Sequence, residues 1–350
     1  MTIRVVQWTT GNVGRRSVRA IAANPGLELV GCYAWSPDKV GVDVGELAGT
    51  GPLGVVATDD VDALLALRPD CVVYNPLWPD VAELERILAA GVNVVTTAGF
   101  ITGRALADDG EARVEAAAQT GGVSIFGSGM NPGFANALAL VSAGICDRVD
   151  SISVLESVDS TGYGSAETEQ SVGYCRPIDD PELPALVAAG TAVFGDAVAM
   201  MADALGVTLD TITCDAAFAA ATTRLELGYM TIEPGCVAGI EAHWLGKVGD
   251  RTVIDLSVRW RKGDALEPDW PLEHGYLVRV EGSPCVKTKL EIRPPRDFRA
   301  ESMEDFMVLG MIMTALPAVQ AIPAVCAAAP GIRTYADLPL VTARGFVAPR

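Results

Sequence analysis

Three observations predict an α/β chain: a doubly wound parallel sheet followed by a second α+β domain built on a mostly antiparallel sheet. Short β-branched runs alternate with amphipathic helical patterns through the first third of the 350 residues. A glycine turn, T-x-G-N-V-G, follows the first of those runs. Beyond Gly127 the alternation stops and long strand patterns take over. Strands that are apolar throughout and separated by helices belong in a parallel sheet covered on both faces.

Taken in order, the strand patterns are Ile3–Gln7, Leu27–Tyr33, Val55–Thr58, Cys71–Tyr74, Val92–Thr97 and Val123–Phe126. Between most of them lie helical patterns at Arg15–Ala23, Val61–Leu67, Val81–Ala90 and Ala112–Gln119. "GSGMNPGF" from Gly127 is rich in turn formers and ends this region. A helix over Ala135–Ile145 follows. Strands are then expected at Ser151–Leu155, Val237–Leu245, Thr252–Trp260, Tyr276–Val280 and Lys287–Ile292, with a flanking helix near Ala192–Leu205. "GKVGDRT" reads as a hairpin between two of them. A last helix, Met303–Ala315, precedes a proline-rich tail. The expected domains are residues 1–135, 136–302 and 303–350.

The formal net charge is −18, a field that repels a phosphate backbone, so nucleic-acid binding is not expected. No uninterrupted apolar run approaches the roughly 20 residues of a membrane span, and no apolar leader precedes the first strand. The eight cysteines form no C-x-x-C pair, and the two histidines have no ligand-spaced neighbours, so no metal site is expected. Scattered cysteines fit the core of a cytoplasmic protein.

T-x-G-N-V-G lies between a strand and a helix, the context a dinucleotide loop requires. Thr10, Gly11, Asn12, Val13, Gly14 and Arg15 are the candidate phosphate-binding residues. Gly11 lets backbone approach a pyrophosphate, and Gly14 lets the helix pack against the strand. Thr9 stands where the usual first glycine would be, and an ordinary strand-to-helix turn has the same outline. After the second strand, "CYAWSPDKVG" carries no acid at the position that commonly holds the ribose hydroxyls of NAD. Ser36 and Lys39 can instead donate to a 2′-phosphate, so NADP(H) is favoured and NAD(H) remains open. Ser36-Pro37-Asp38-Lys39 is also a plain turn sequence.

The succession "QWTTGNVGRR", "WSPDKVGVDVGELAG", "GSGMNPGF" and "APGIRTYADLPL" resembles the dihydrodipicolinate-reductase-like oxidoreductase family that includes 2,4-diaminopentanoate dehydrogenase and the native amine dehydrogenases. The resemblance implies an N-terminal Rossmann domain, a central α+β substrate and dimerisation domain, and a C-terminal segment returning to the Rossmann domain. It implies a homodimer, chemistry in a cleft between domains, and a small amine, ketone or imine as substrate. It also implies that Asn131 and Pro132 of "MNPGF" sit beside the nicotinamide. The turn Asn75-Pro76-Leu77 and the strand end Val95-Thr96-Thr97-Ala98 would border the cofactor. An Asn-Pro pair is equally a helix start.

In one place the chain departs from that pattern. Amine-dehydrogenating members carry a glutamate after the fifth strand, where this chain reads "TTAGFITG". Ala98, Gly99 and Phe100 cannot ionise, and Phe100 is expected to point into the pocket and make it more apolar. Amine oxidation needs a base or charge partner near nitrogen. Glu156, at the end of an apolar strand, is the candidate substitute. Asp159, Tyr163, Glu167, Glu169 and Tyr174 follow in a loop, where solvated side chains are also expected. His243 alternates with apolar neighbours and either lines the pocket or is a satisfied core or interface histidine. The leading expectation is hydride transfer between a nicotinamide and a C=N or C=O carbon. The alternatives are a carbonyl or imine reductase without ammonia capture, and a non-catalytic NADP-binding sensor.

Overall fold

The computed structural model describes residues 2–300 and 303–347. The chain opens with β1 (Ile3–Trp8), α1 (Asn12–Ala23), β2 (Leu27–Tyr33), α2 (Val44–Ala48), β3 (Ala57–Thr58) and α3 (Val61–Ala66). It continues through β4 (Cys71–Tyr74), α4 (Val81–Ala89), β5 (Asn93–Thr96), α5 (Gly110–Gly121) and β6 (Ser124–Gly127). Next come α6 (Phe134–Ala143), β7 (Arg148–Asp159), α7 (Ala166–Ser171), α8 (Leu183–Gly190) and α9 (Ala192–Leu205). The strands β8 (Thr211–Ala221), β9 (Leu225–Glu226), β10 (Thr231–Ile232), β11 (Val237–Val248) and β12 (Arg251–Arg261) follow. Last are β13 (Leu266–Glu267), β14 (Gly275–Ser283), β15 (Val286–Leu290), α10 (Met303–Cys326) and β16 (Gly331–Arg333). These elements form two compact units, Met1–Phe134 with Gly310–Arg350, and Ala135–Leu309.

The first unit is a parallel sheet of order β16-β6-β5-β4-β1-β2-β3. Side chains alternate across it, so each strand feeds two cores. Val6, Trp8, Val72, Tyr74 and Val94 pack with Leu84, Ile87 and Leu88 of α4 and Val114 of α5. On the other face Val5, Val73 and Val95 meet Ile21 of α1 and Val319, Ile322 and Val325 of α10.

Two expectations change here. The strand at Val55–Thr58 shrinks to Ala57–Thr58, because the preceding loop is tied to Asp43, which accepts from the backbone N–H groups of Gly45, Leu53 and Gly54. The last helix runs on to Cys326 through Pro317 and Pro323. Each proline removes a helical hydrogen bond, at about 3 kcal/mol. Burial of Ala315, Ala318, Val319, Ala321, Ile322 and Val325 offsets that loss. Residues Asp305–Cys326 are long and apolar enough to span a membrane by length and composition, with a mean hydropathy of 1.8. The C-terminal half of this helix is a core element of the first unit.

The second unit is a sheet of order β13-β8-β11-β12-β7-β14-β15, antiparallel except for the β12–β7 pair. The β11–β12 hairpin turns at Gly249-Asp250, with Gly249 at φ +56°. The face bearing Trp244 and Gly246 is covered by α9, whose Thr191 N-cap hydroxyl accepts from the Trp244 indole at 2.9 Å. Strand β8 was not expected, because "TITCDAAFAAA" is alanine-rich and a poor strand former in isolation.

Lys262, fully buried just beyond β12, ties this unit together. Its ammonium donates to the Ser160 carbonyl at 2.7 Å, to the Glu169 carboxylate and to the Tyr229 hydroxyl at 3.3 Å, and it lies over the Tyr174 ring. Burial lowers the Lys262 pKa and raises that of Glu169, while their mutual attraction opposes both shifts. Removing one charge strands the other. Lys262→Met should therefore cost about 3–5 kcal/mol of unfolding free energy, with Lys262→Met/Glu169→Leu costing less. Denaturant titration of both variants checks this, and a double variant less stable than the single one would refute the account.

Candidate active site

The phosphate loop is built from a strained turn and a close approach. At Thr9 the backbone takes φ +69°, a left-handed conformation unfavourable for a β-branched residue. Two hydrogen bonds hold it there. The Thr9 hydroxyl donates to the Asn75 carbonyl at 2.9 Å, and the Thr9 carbonyl accepts from the Gln7 amide at 2.9 Å. A Cβ at Gly14 would collide with that same Thr9 carbonyl, so glycine alone lets α1 come this close. A Cβ at Gly11 would meet nothing within 4 Å, leaving open space above the start of α1.

That space has donors around it. Helix α1 has neither a side-chain cap nor an acidic residue in its first turn, so its first N–H groups and its positive end are available. The Thr10 hydroxyl is buried in the loop and has no partner. The Arg15 guanidinium folds back onto the Thr10 carbonyl at 3.3 Å. Arg16 has its pKa lowered by burial and by its neighbours Arg19 and Arg15, the mark of a crowded positive patch. Asn12 and Val13 form the first turn of α1. This donor set fits a diphosphate.

The adjoining cavity is lined by the loop (Thr9, Thr10, Gly11), by Trp35, Ser36 and Lys39 after β2, and by Asn75, Pro76 and Leu77 after β4. Strands β2 and β4 flank β1 on opposite sides, so the cavity lies at the carboxyl ends of the strands where the sheet order reverses. The Ser36 hydroxyl is hydrogen-bonded to Asp38, so Lys39 is the remaining charged donor of the pair expected from the sequence.

Thr97, Asn131 and Pro132 stand outside that lining, beyond the ends of β5 and β6. The Thr97 hydroxyl accepts from the Asn75 amide at 2.8 Å. The "GSGMNPGF" turn closes on itself, with the Gly129 N–H donating to the Pro132 carbonyl at 3.1 Å. It is braced by Tyr335, whose hydroxyl lies 2.8 Å from that of Ser128 and whose ring meets Phe126 edge-on. Phe100 does not point into a pocket, contrary to expectation. Gly99, at φ +58°, turns the chain so that Phe100 is 2% exposed in the core between the sheet, α4 and α5.

In the second unit, Glu156 and His243 are on opposite faces of one sheet. Glu156 pairs with Val258 and so with Ala242, whereas His243 pairs with Ser257 and so with Leu155. Adjacent rows point to opposite faces. Glu156 faces the side of α9, accepts from the Trp260 indole at 2.9 Å and pairs in register with Tyr276. Trp260 in turn packs edge-on against Phe194 of α9. Burial, with the negative charge of Glu156 adding, raises the pKa of Tyr276; burial, Glu169 and Glu156 do the same for Tyr163. The segment expected as a loop is partly ordered: Asp159 ends β7 and accepts from the Thr161 N–H at 2.8 Å, Glu167 and Glu169 lie on α7, and Tyr174 is buried at the Lys262–Glu169 pair. Neither Lys262 nor Gln7 carried a motif that would have marked it in the sequence, and Asn75 was marked only as part of the turn expected to border the cofactor.

His243 lies between Asp255, at 3.1 Å, and Glu241, at 3.0 Å, and Glu241 also accepts from Arg259 at 2.5 Å. Those two carboxylates raise the imidazole pKa to about 10 against the cost of burial. Glu241, hydrogen-bonded to His243 and Arg259, falls to about 2. An imidazolium so held is charged at neutral pH and is no general base. Because the folded value exceeds the unfolded one, its stabilisation is complete below about pH 6.5 and is lost as pH rises towards 10. His243→Gln should therefore be less stable than wild type at pH 6, and the gap should close by pH 10. Thermal melts across that range provide the check; a gap independent of pH would contradict it.

The 2,4-diaminopentanoate dehydrogenase C-terminal domain family matches residues 135–346, and the dihydrodipicolinate reductase N-terminal family matches residues 4–126. An amine dehydrogenase of Streptomyces virginiae is 33% identical over 98% of this chain and 98% of its own. A 4-hydroxy-tetrahydrodipicolinate reductase of Synechococcus elongatus is 36% identical over 27% of this chain and 38% of its own. The amine dehydrogenase structure from Mycobacterium smegmatis matches 99% of this chain and 98% of its own, with a TM-score of 0.80 at 23% identity. The myo-inositol dehydrogenase of Lactobacillus casei, solved with NAD(H) and myo-inositol, matches 96% and 90% with a TM-score of 0.57 at 14% identity. These last two likenesses are of fold. The chain belongs to the 2,4-diaminopentanoate dehydrogenase and amine dehydrogenase family of dihydrodipicolinate-reductase-like, NAD(P)-dependent oxidoreductases.

Proposed function

We propose that the chain interconverts a small primary amine with its ketone or aldehyde plus ammonia, preferring NADP(H) to NAD(H). The observation that carries the cofactor reading is the uncapped start of α1, with open space at Gly11 and the orphaned Thr10 hydroxyl beside it. Thr10, Gly11 and the first turn of α1 would hold the diphosphate. Lys39 would meet a 2′-phosphate, helped by the absence of an acid at Ala34 and Trp35. Pro76, Thr97, Asn131 and Pro132 are assigned to the rest of the cofactor. The bound nicotinamide would exchange a hydride with the carbon that bears nitrogen.

For the amine itself we assign Glu156. An ionised carboxylate pairs with a substrate ammonium, and the rings of Trp260 and Tyr276 nearby favour a cation over an anion. In the oxidative direction the nitrogen must lose a proton before its carbon gives up hydride, and Glu156 is the residue we assign to accept it. Water then converts the resulting iminium to the carbonyl and ammonium. We further read the protein as a cytoplasmic homodimer, with the polar sheet face around Glu241, His243, Asp255 and Arg259 as the surface for a second copy.

Two experiments test these assignments. Titration should show tighter binding of NADPH than of NADH, the lost phosphate contact being worth about 1.5–3 kcal/mol. Gly11→Val should stay folded and bind neither, since its side chain enters only the open space. Tighter NADH binding would overturn the preference, and a folded Gly11→Val that still binds would overturn the loop assignment.

Separately, NADPH oxidation should be followed with ketones and aldehydes, with and without ammonium. Activity should require ammonium and fall about 100-fold or more in Glu156→Gln, as expected on losing a group that transfers a proton. Ammonium-dependent turnover that survives the substitution would remove Glu156 from the mechanism. Turnover without ammonium would identify a carbonyl reductase instead.

A further inference from the structure

The first unit buries two side-chain amides at its nucleotide end. Gln7 is fully buried in β1, the strand at the reversal of sheet order, where an apolar residue would cost nothing to desolvate. Its Nε2 donates to the Thr9 carbonyl at 2.9 Å, to the Trp8 carbonyl at 3.2 Å and to Asn75 Oδ1 at 2.8 Å. Asn75 is 8% exposed. Its Oδ1 also accepts from the Ser17 hydroxyl of α1 at 3.0 Å, and its Nδ2 donates to the Thr97 hydroxyl at 2.8 Å. Its backbone receives the Thr9 hydroxyl and donates to the Trp8 carbonyl. One short amide thus joins the ends of β1, β4 and β5 to the second turn of α1.

An asparagine suits this point because it offers two acceptor sites and two donors on a short stem. Aspartate would keep the acceptors, add a buried charge and lose the donor to Thr97. An apolar residue would release all three partners, and Gln7 would then have no fixed acceptor directing its amide at the Thr9 carbonyl.

We propose that Asn75 is a positioning residue for the cofactor loop: acting through Gln7 and Ser17, it holds Thr9 in its left-handed turn and α1 in register with the phosphate. Through Thr97 it couples the phosphate end of the site to the end of β5. The proposal rests on the dinucleotide reading above. Asn75 acts on the loop through its partners and is not assigned a contact with the reacting atoms.

The test is cofactor binding measured apart from turnover, by calorimetric titration of NADPH and NADH into wild type, Asn75→Ala, Asn75→Asp and Ser17→Ala, with a thermal melt of each. Asn75→Ala should raise the Kd about tenfold or more at temperatures well below its melting point. In turnover its cofactor KM should rise by a larger factor than its kcat falls. Asn75→Asp, which keeps the Gln7 and Ser17 contacts but sets a negative charge in the lining of the phosphate cavity, should bind more weakly than wild type. Ser17→Ala, a mild change that leaves the strands untouched, should weaken binding by a smaller factor and decides the matter if Asn75→Ala does not fold. Wild-type binding with an unchanged Kd in the folded variants, even with lowered melting points, would make Asn75 merely structural and overturn the proposal. Wild type that binds neither nucleotide would overturn the dinucleotide reading itself and this inference with it.

Discussion

Everything at the nucleotide end of this protein depends on how closely α1 approaches the end of β1. The helix packs with Gly14 against the Thr9 carbonyl, at a distance no side chain tolerates. That approach fixes the axis of α1, and with it the direction in which the unsatisfied N–H groups and the helix dipole point. It also requires the chain to reverse sharply at Thr9. Glycine would make that reversal freely. Here a threonine makes it, and its conformational cost is met by hydrogen bonds to both its hydroxyl and its carbonyl. A turn that is permissive with glycine becomes one specified by buried amides on neighbouring strands.

The second unit answers to a different constraint, the two-residue period of its strands. Along β11 and β12 one side of the sheet is apolar and meets α9, while the other bears Glu241, His243, Asp255 and Arg259. The alternation puts the two ionisable candidates on opposite faces of the sheet. On the open face His243 is charged and doubly paired, a fixed cation within a lattice of ions. On the helix face Glu156 accepts from the Trp260 indole, which itself packs edge-on against Phe194 of α9.

How much of this was legible in the sequence follows from the range of each interaction. The parallel sheet and its helices could be read because apolar periodicity is local. Gly11 and Gly14 could be read because their spacing belongs to one turn. Strand β16 could not: it is three residues long and exists by pairing with β6, two hundred residues earlier in the chain. The extension of α10 through two prolines was hidden for the same reason, since local propensity stops the helix and only its buried face continues it. Gln7 and Lys262 were overlooked, and Asn75 was read only as part of a turn bordering the cofactor, because a buried polar residue is recognised by its partners, and theirs are distant in sequence. The opposition of Glu156 and His243 needed the register between β7, β12 and β11, which neither strand specifies alone.

The turn after β5 leaves no place for an ionised side chain. Ala98 is buried, Gly99 needs a left-handed backbone, and Phe100 fills the core with its carbonyl against Gly127. A carboxylate at the first or third of these positions would be desolvated without a partner, and at the second it would strain the turn. Restoring an acid there would mean rebuilding the packing between β5, β6 and α5, a larger change than a single substitution. An acid that already has a hydrogen-bond donor and aromatic surroundings faces no such cost. Glu156 meets that condition through the Trp260 indole and its pairing with Tyr276 on the neighbouring strand.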